Sequence, residues 1–224
     1  MPFEAIKTKK ILDNDDTNYF KGEGIDIGCG PCPISENALG FDIDSGDANN
    51  IKEFITDKFD YVFSSHCLEH MFDPRKSFKD WWSLVKKNGY LIIAIPDEDL
   101  YEQGYFPSLF NSDHKYTFTI SKNKSWSTKS INVLSLLEVI SGYEIIRLEI
   151  QDDGYQRNIL HHSNYSRNRA LFLMNITRRF SSFFKAFGIR NWLNKNLNII
   201  LRLPIDQTQS NALAQILIIL KKTS

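Results

Sequence analysis

In this 224-residue chain, the segment Gly24-Ile-Asp-Ile-Gly-Cys-Gly-Pro31 has the residue types and spacing best suited to chemistry. An apolar run that ends in Gly28 and Gly30 lets the backbone turn sharply and approach a ligand closely. Asp26 places an acid inside that run. Asp42, in Gly40-Phe-Asp-Ile-Asp44, ends the next run, where a carboxylate can accept both hydroxyls of a ribose. His66 and His70 flank the turn after a third run, and Glu69 reads as an acid at a helix start. Asp113 and His114 pair a carboxylate with a ring that titrates near neutrality, the combination general acid–base work uses. Cys29 and Cys32 form a Cys-x-x-Cys that suits a redox pair, half a zinc site, or small residues in a Gly-rich turn. Cys67 stands alone and His161-His162 has no acid nearby in sequence, so no metal site is expected and the cysteines read as turn residues.

The elements that position these residues follow from periodicity. Short apolar runs alternate with helix-length segments through the first 150 residues, the pattern of an α/β sheet with crossovers. Strands are predicted at 24–27, 39–43, 59–65, 89–95, 143–150 and 214–220. A helix opens at Pro74 with Phe78, Trp81, Trp82 and Val85 at helical spacing, and Asn88-Gly89 ends it. Another helix covers 135–140. Residues 157–203 break the alternation as an inserted helical pair before the last strand. Leu173, Ile176, Phe180, Phe183, Phe184 and Phe187 share one face, Gly188 suits the helix end, and a second amphipathic stretch, 192–203, stops at Pro204. The Phe stripe and the Trp81-Trp82 pair are both expected to be core.

A chain of this length with 42% hydrophobic and 24% charged residues buries roughly 70% of its unfolded-chain surface as one domain spanning 1–224. That excludes disordered and disulfide-stapled classes. Its apolar runs are far shorter than the ~20 residues of a membrane span, and residues 1–16 mix lysines and aspartates with no apolar stretch, so a cytoplasmic location is expected. Net charge is zero but uneven: residues 154–205 carry nine basic residues and no acidic one. That stretch reads as a solvated face, a site for a phosphorylated acceptor, or a peripheral contact with anionic lipid; nucleic acid is not expected.

Taken together these residues resemble a class I S-adenosylmethionine-dependent methyltransferase. Asp26, Gly28 and Gly30 match its Asp/Glu-x-Gly-x-Gly signature and Asp42 its second-strand acid. Phe59-Asp-Tyr-Val-Phe-Ser-Ser-His-Cys-Leu-Glu-His70, Asp73-Pro74 and Lys87-Asn-Gly-Tyr-Leu-Ile-Ile93 match its later strands in order. The resemblance implies a Rossmann-like, mostly parallel sheet and S-adenosylmethionine as cofactor. It places Asp26, Gly28, Gly30, Asp42, Asp47, Ser65 and His66 at the cofactor, with Asp47 standing for the acid that meets the adenine amino group. Residues between Asp42 and Phe59 are too few for a full second helix and third strand, which must be abbreviated. Cys32 stands where many relatives have a third glycine. Pro33 occupies the last position of a dinucleotide Gly-x-Gly-x-x-Gly, which argues against an NAD enzyme.

Pro96-Asp-Glu-Asp-Leu-Tyr-Glu-Gln-Gly104 and Phe110-Asn-Ser-Asp-His-Lys-Tyr-Thr-Phe-Thr119 are similar to a bacterial subgroup that accompanies glycosyltransferases in surface-polysaccharide pathways. That resemblance implies O-methylation of a sugar or phosphate-type group, for example a phosphoramidate, in a capsule or other surface-glycan precursor. Methyl transfer to another small metabolite, or a non-catalytic partner protein of the same fold, are the alternatives. His66, Asp97, Asp113 and His114 are the candidate bases, with His114 and Asp113 chosen as catalytic; the other reading of His114 is a loop anchor.

Overall fold

The computed structural model describes residues 4–13, 18–120, 122–160 and 165–224; His161-His162, Asp15 and Asp16 lie outside them. Eight strands form between short helices: β1 (Gly24–Ile27), β2 (Ala38–Phe41), β3 (Phe59–Ser65), β4 (Val85–Pro96), β5 (Thr117–Thr119), β6 (Ser130–Asn132), β7 (Tyr143–Gln151) and β8 (Gln215–Lys222). Six of them build one sheet in the order β2-β1-β3-β4-β8-β7, parallel from β2 to β4 and antiparallel at β8 and β7. This is the Rossmann-like arrangement the sequence predicts. Strands β1 and β3 are sequence-distant neighbours in the sheet centre, buried on both faces, which is why they read as continuous apolar runs. A separate two-stranded ribbon, β5 with β6, lies beyond Pro96.

The helices are α1 (Glu4–Leu12), α2 (Pro74–Ser83), α3 (Val133–Leu137), α4 (Arg167–Ser182) and α5 (Arg190–Ile200). Asp73 caps α2 by accepting from Arg75 and Lys76 N–H, and Pro74 takes the first helical position, where its missing N–H costs nothing. Trp81 and Trp82 are buried as expected, and their indole N–H groups reach Ala48 O and Ser141 O. Ile25, Ile27, Val62, Leu91, Ile93 and Ile218 meet this helical face in the main core, which sits directly beneath the carboxyl ends of the strands.

Three expectations need correction. Between Asp42 and Phe59 the chain forms a six-residue 3-10 helix, Ala48–Glu53, and no third strand, so β2 is left as the edge of the sheet. Val85 opens β4 rather than closing α2, and Asn88, at φ 65°, lies within the irregular start of that strand. The Phe stripe is not core. Phe172, Ile176, Phe180, Phe183 and Phe187 are exposed, and α4 turns Ala170, Thr177 and Ser181 inward instead. Thr177 Oγ1 and Asn198 Oδ1 close that inner seam at 2.8 Å, joining α4 to α5. Amphipathic spacing defines two faces but does not say which one is buried.

Candidate active site

At the carboxyl end of the parallel strands, where open α/β sheets bind ligands, β1, β2 and β3 release their chains into one cavity of about 560 Å³. That volume is in the range of small-molecule sites. Gly28, Phe41, Asp42, Asp47 and Ala48 line it together with His70, Met71, Phe72, Asp113 and Lys115.

The glycine turn is built from below. Gly28 and Gly30 have φ of 78° and 61°, a region closed to most side chains. A Cβ on Gly28 would lie 2.7 Å from Cys67 Cβ, whereas one on Gly30 would meet no protein atom within 4 Å. Gly28 is therefore required by packing, whereas Gly30 is exposed, has open space at its Cβ position and is not among the residues that wall the cavity. Asp26 is 2% exposed, and its Oδ2 accepts from Ile34 N–H at 2.7 Å, which ties the far end of the turn to the strand. Burial pushes its pKa up to about 7, against the lowering effect of that hydrogen bond. Asp26 thus lies under the turn rather than at the cavity face.

Asp42 accepts from Gly30 N–H at 2.6 Å and from Ile43 N–H at 2.7 Å, one bond to each oxygen. An ionised carboxylate has about four acceptor positions, so one on each oxygen stays available for a pair of ribose hydroxyls. Asp47 also lines the cavity, and its carboxylate caps the 3-10 helix through Asn49 N–H and Asn49 Nδ2, bonds that hold its pKa below the usual carboxylate value. Ser65 is buried and its hydroxyl has no hydrogen-bond partner among the described residues. His66 takes the left-handed conformation at φ 55°, a strained choice for a non-glycine residue that turns the chain out of β3. Neither Ser65 nor His66 is among the residues that wall the cavity.

Of the four candidate bases, Asp113 lines the cavity and His66, Asp97 and His114 do not. Asp97 caps the turn Glu98–Glu102 by accepting from Asp99 and Leu100 N–H, and burial pushes its pKa up to about 6. His114 is 5% exposed, with Nδ1 donating to Glu102 Oε1 at 2.6 Å and Nε2 facing Glu69 Oε1 at 3.8 Å. Asp113 accepts from His70 Nδ1 at 2.8 Å and from Lys115 Nζ at 3.3 Å. Its slight burial raises its pKa, and the Lys115 cation together with the His70 contact more than offsets that, leaving it below the usual carboxylate value. Glu69 stands in the first turn of the short 3-10 helix Leu68–His70, as expected, and what its sequence position does not show is that it is fully buried and surrounded by His66, His70 and His114. Burial opposes its ionisation, and the three rings outweigh it.

The inserted pair packs on the loop that leads to Asp113. Tyr105, Ala170 and Leu203 form a small core there, and Arg167 donates to Pro107 O and Ser108 O. Arg178 reaches Asn175 Oδ1 and, like Arg179, is exposed and away from the cavity wall. Cys29 and Cys32 are free thiols beside the glycine turn.

Residues 33–93 match a family described as a methyltransferase domain. No curated protein matches the sequence. Among solved structures, the chain is similar to an S-adenosylmethionine-dependent methyltransferase from Archaeoglobus fulgidus, at 17% identity and TM-score 0.51 over 97% of this chain and 92% of that one. It is also similar to one from Clostridium acetobutylicum, at 11% identity and TM-score 0.50 over 100% and 93%. These likenesses give the fold, that of the class I methyltransferases. The family match over residues 33–93 supports an enzyme of the S-adenosylmethionine-dependent methyltransferase type, with S-adenosylmethionine as its cofactor.

Proposed function

We propose that the protein O-methylates a sugar or phosphate-type group, such as a phosphoramidate, of a capsule or other surface-glycan precursor. The observation that carries the reading is one cavity lined both by a ribose-type carboxylate, Asp42, and by the polar side chains of His70, Asp113 and Lys115. The cofactor supplies a methyl group already attached to a good leaving group, a sulfonium. What remains for the protein is to hold the acceptor oxygen in line, where orientation contributes several kcal/mol. Lys115 offers a cation to a phosphorylated acceptor and Asp113 a carboxylate to a hydroxyl. His114, buried behind Asp113, acts by fixing that wall rather than by touching the acceptor. The polysaccharide assignment rests on the resemblance of residues 96–119 to that bacterial subgroup. Mass spectrometry of sugar nucleotides and phosphorylated glycan precursors, incubated with protein and S-adenosylmethionine, tests it. Gain of one methyl by such a compound is expected; methylation confined to unrelated metabolites would overturn the substrate class, and methylation of nothing would favour a non-catalytic partner.

The inserted pair favours a membrane surface as the place of work. No helix among the described residues is long and apolar enough to cross a membrane. Phe172, Phe180, Phe183, Phe187 and Trp192 are nevertheless exposed, beside Arg178, Arg179, Lys185 and Lys195, in a segment with no acidic residue. Aromatic side chains flanked by cations, with no compensating acids, complement anionic lipid. Sedimentation with phosphatidylglycerol vesicles should carry the protein down, and phosphatidylcholine vesicles should not. Equal binding to both, or concentration-dependent dimerisation that buries this face, would contradict the assignment.

A further inference from the structure

Three imidazoles converge on a buried carboxylate. Glu69 is 0% exposed, and neither of its oxygens has a hydrogen-bond partner among the described residues. Leaving such a group unsatisfied forfeits its hydration with nothing in return. Glu69 Oε1 faces His66 Nδ1 at 3.5 Å, His114 Nε2 at 3.8 Å and His70 Nε2 at 3.9 Å. The other nitrogen of each ring is already engaged: His114 Nδ1 with Glu102 Oε1, His70 Nδ1 with Asp113 Oδ2, and His66 Nε2 with Gln215 Oε1. Those partners are oxygen acceptors, so the engaged nitrogens carry N–H. In the neutral rings the nitrogens facing Glu69 then bear lone pairs. Ring nitrogens and the carboxylate oxygen therefore face one another at 3.5–3.9 Å, an arrangement that positive charge between them stabilises.

We propose that Glu69, His70 and His114 bind a divalent first-row transition-metal ion, best matched by Zn²⁺. Their ligand atoms all lie within 4.8 Å of one another. Bonds of about 2.0–2.2 Å to one ion place ligand atoms about 3–3.5 Å apart, so the side chains close in by under about 1 Å. Two histidines and a glutamate are the donor set of open zinc sites, which keep a position free for substrate or water. The ring–carboxylate pairs His114–Glu102 and His70–Asp113 are the outer-shell contacts that fix the tautomer of metal-binding histidines. The sequence reading expected no metal because it looked for clustered cysteines; here the ligands come from the turn after β3 and a loop 44 residues downstream of His70.

His70 lines the cavity, so the ion lies at the wall that faces the acceptor. This part of the inference rests on the methyl-transfer reading. Beside the ion, the acceptor hydroxyl is more acidic and gives its proton to the Asp113 carboxylate. Its oxygen forms the new bond to the methyl carbon as the carbon–sulfur bond breaks, and that electron pair stays on sulfur. No separate histidine base is then needed.

Protein stripped with EDTA and dialysed is titrated with Zn²⁺ by calorimetry and with Co²⁺ by visible absorption. One equivalent of Zn²⁺, ligand-field bands from bound Co²⁺ and a higher melting temperature are expected. Glu102→Gln, which leaves the ligands in place but loosens His114, should weaken Zn²⁺ about 10- to 100-fold. His70→Ala, checked for folding by circular dichroism, should weaken it more; Asp113→Asn, at an exposed position, serves if that variant does not fold. Failure of Zn²⁺ and Co²⁺ to bind stoichiometrically, or affinity unchanged in these variants, would overturn the site and leave a network of imidazolium–carboxylate pairs. S-adenosylhomocysteine titrated into the stripped protein keeps the two readings apart. Cofactor binding without metal binding overturns the metal site alone, and metal binding without cofactor binding overturns the methyl-transfer reading alone.

Discussion

Asp42→Ala should remove most of the cofactor affinity and little of the fold. The carboxylate is half-buried at the cavity wall and already accepts Gly30 and Ile43 N–H, each bond using one acceptor position on its oxygen. What a ribose gains there is a pair of hydrogen bonds to an ionised group. Bonds to charged groups contribute about 1.5–3 kcal/mol, which corresponds to about a 10- to 150-fold rise in Kd. The loss has a second source, because without Asp42 the Gly30 N–H is no longer tied and the glycine turn must be ordered on binding. Isothermal titration with S-adenosylhomocysteine reads the affinity, and urea unfolding of the same samples reads the fold. Asp42→Asn keeps one acceptor oxygen and should fall between wild type and Asp42→Ala. An Asp42→Ala variant that binds S-adenosylhomocysteine within about twofold of wild type would refute the reasoning, since a difference that small is under 0.5 kcal/mol.

Gly28→Ala and Gly30→Ala should separate packing from binding. The first forces a Cβ to within 2.7 Å of Cys67 Cβ and should destabilise the fold by about 1–3 kcal/mol in urea; the second meets open space and should lose cofactor affinity with a smaller loss of stability. Stability should also fall with rising pH. Asp26, raised from 3.8 to about 7, stays protonated in the fold where the unfolded chain is ionised, so its contribution is full below pH 4 and is lost between pH 4 and 7. Between pH 5 and 8 the loss is about 2–3 kcal/mol, and Asp26→Asn, which retains an acceptor for Ile34 N–H, should flatten most of that slope in urea midpoints. Phe180→Ser with Phe183→Ser should change stability by under about 0.5 kcal/mol, because both rings are exposed, while abolishing sedimentation with anionic vesicles.

Much of the sheet was readable because central strands buried on both faces leave apolar runs with glycine boundaries. The predicted 24–27 and 59–65 coincide with β1 and β3, and the last strand differs by a residue or two. The shortness of the segment from Asp42 to Phe59 announced a reduced second helix, though not that the third strand would vanish. The ribbon of β5 and β6 left no signal, since three-residue strands carry too little alternation to detect. Helix α4 was expected to run on to Gly188, ends at Ser182 and was turned the wrong way, because a helix whose inner seam is Ala170, Thr177 and Ser181 looks from sequence like one whose aromatic face is inside. In the site, Gly28 and Asp42 stand at the cavity face as their spacing suggests, whereas Asp26 works one layer deeper. His66, Glu69, His70 and His114 were each weighed alone. What makes them a group is the fold, which brings the turn after β3 and the loop before β5 against each other through Lys115 N–H on Glu69 O.

A crystal structure of the protein with S-adenosylhomocysteine tests the central claim most directly. The account predicts the ligand in the cavity between Gly28 and Met71, its two ribose hydroxyls on the Asp42 carboxylate. Ligand bound away from Asp42, for example in the separate pocket lined by Met174, Lys195 and Gln207, would contradict it.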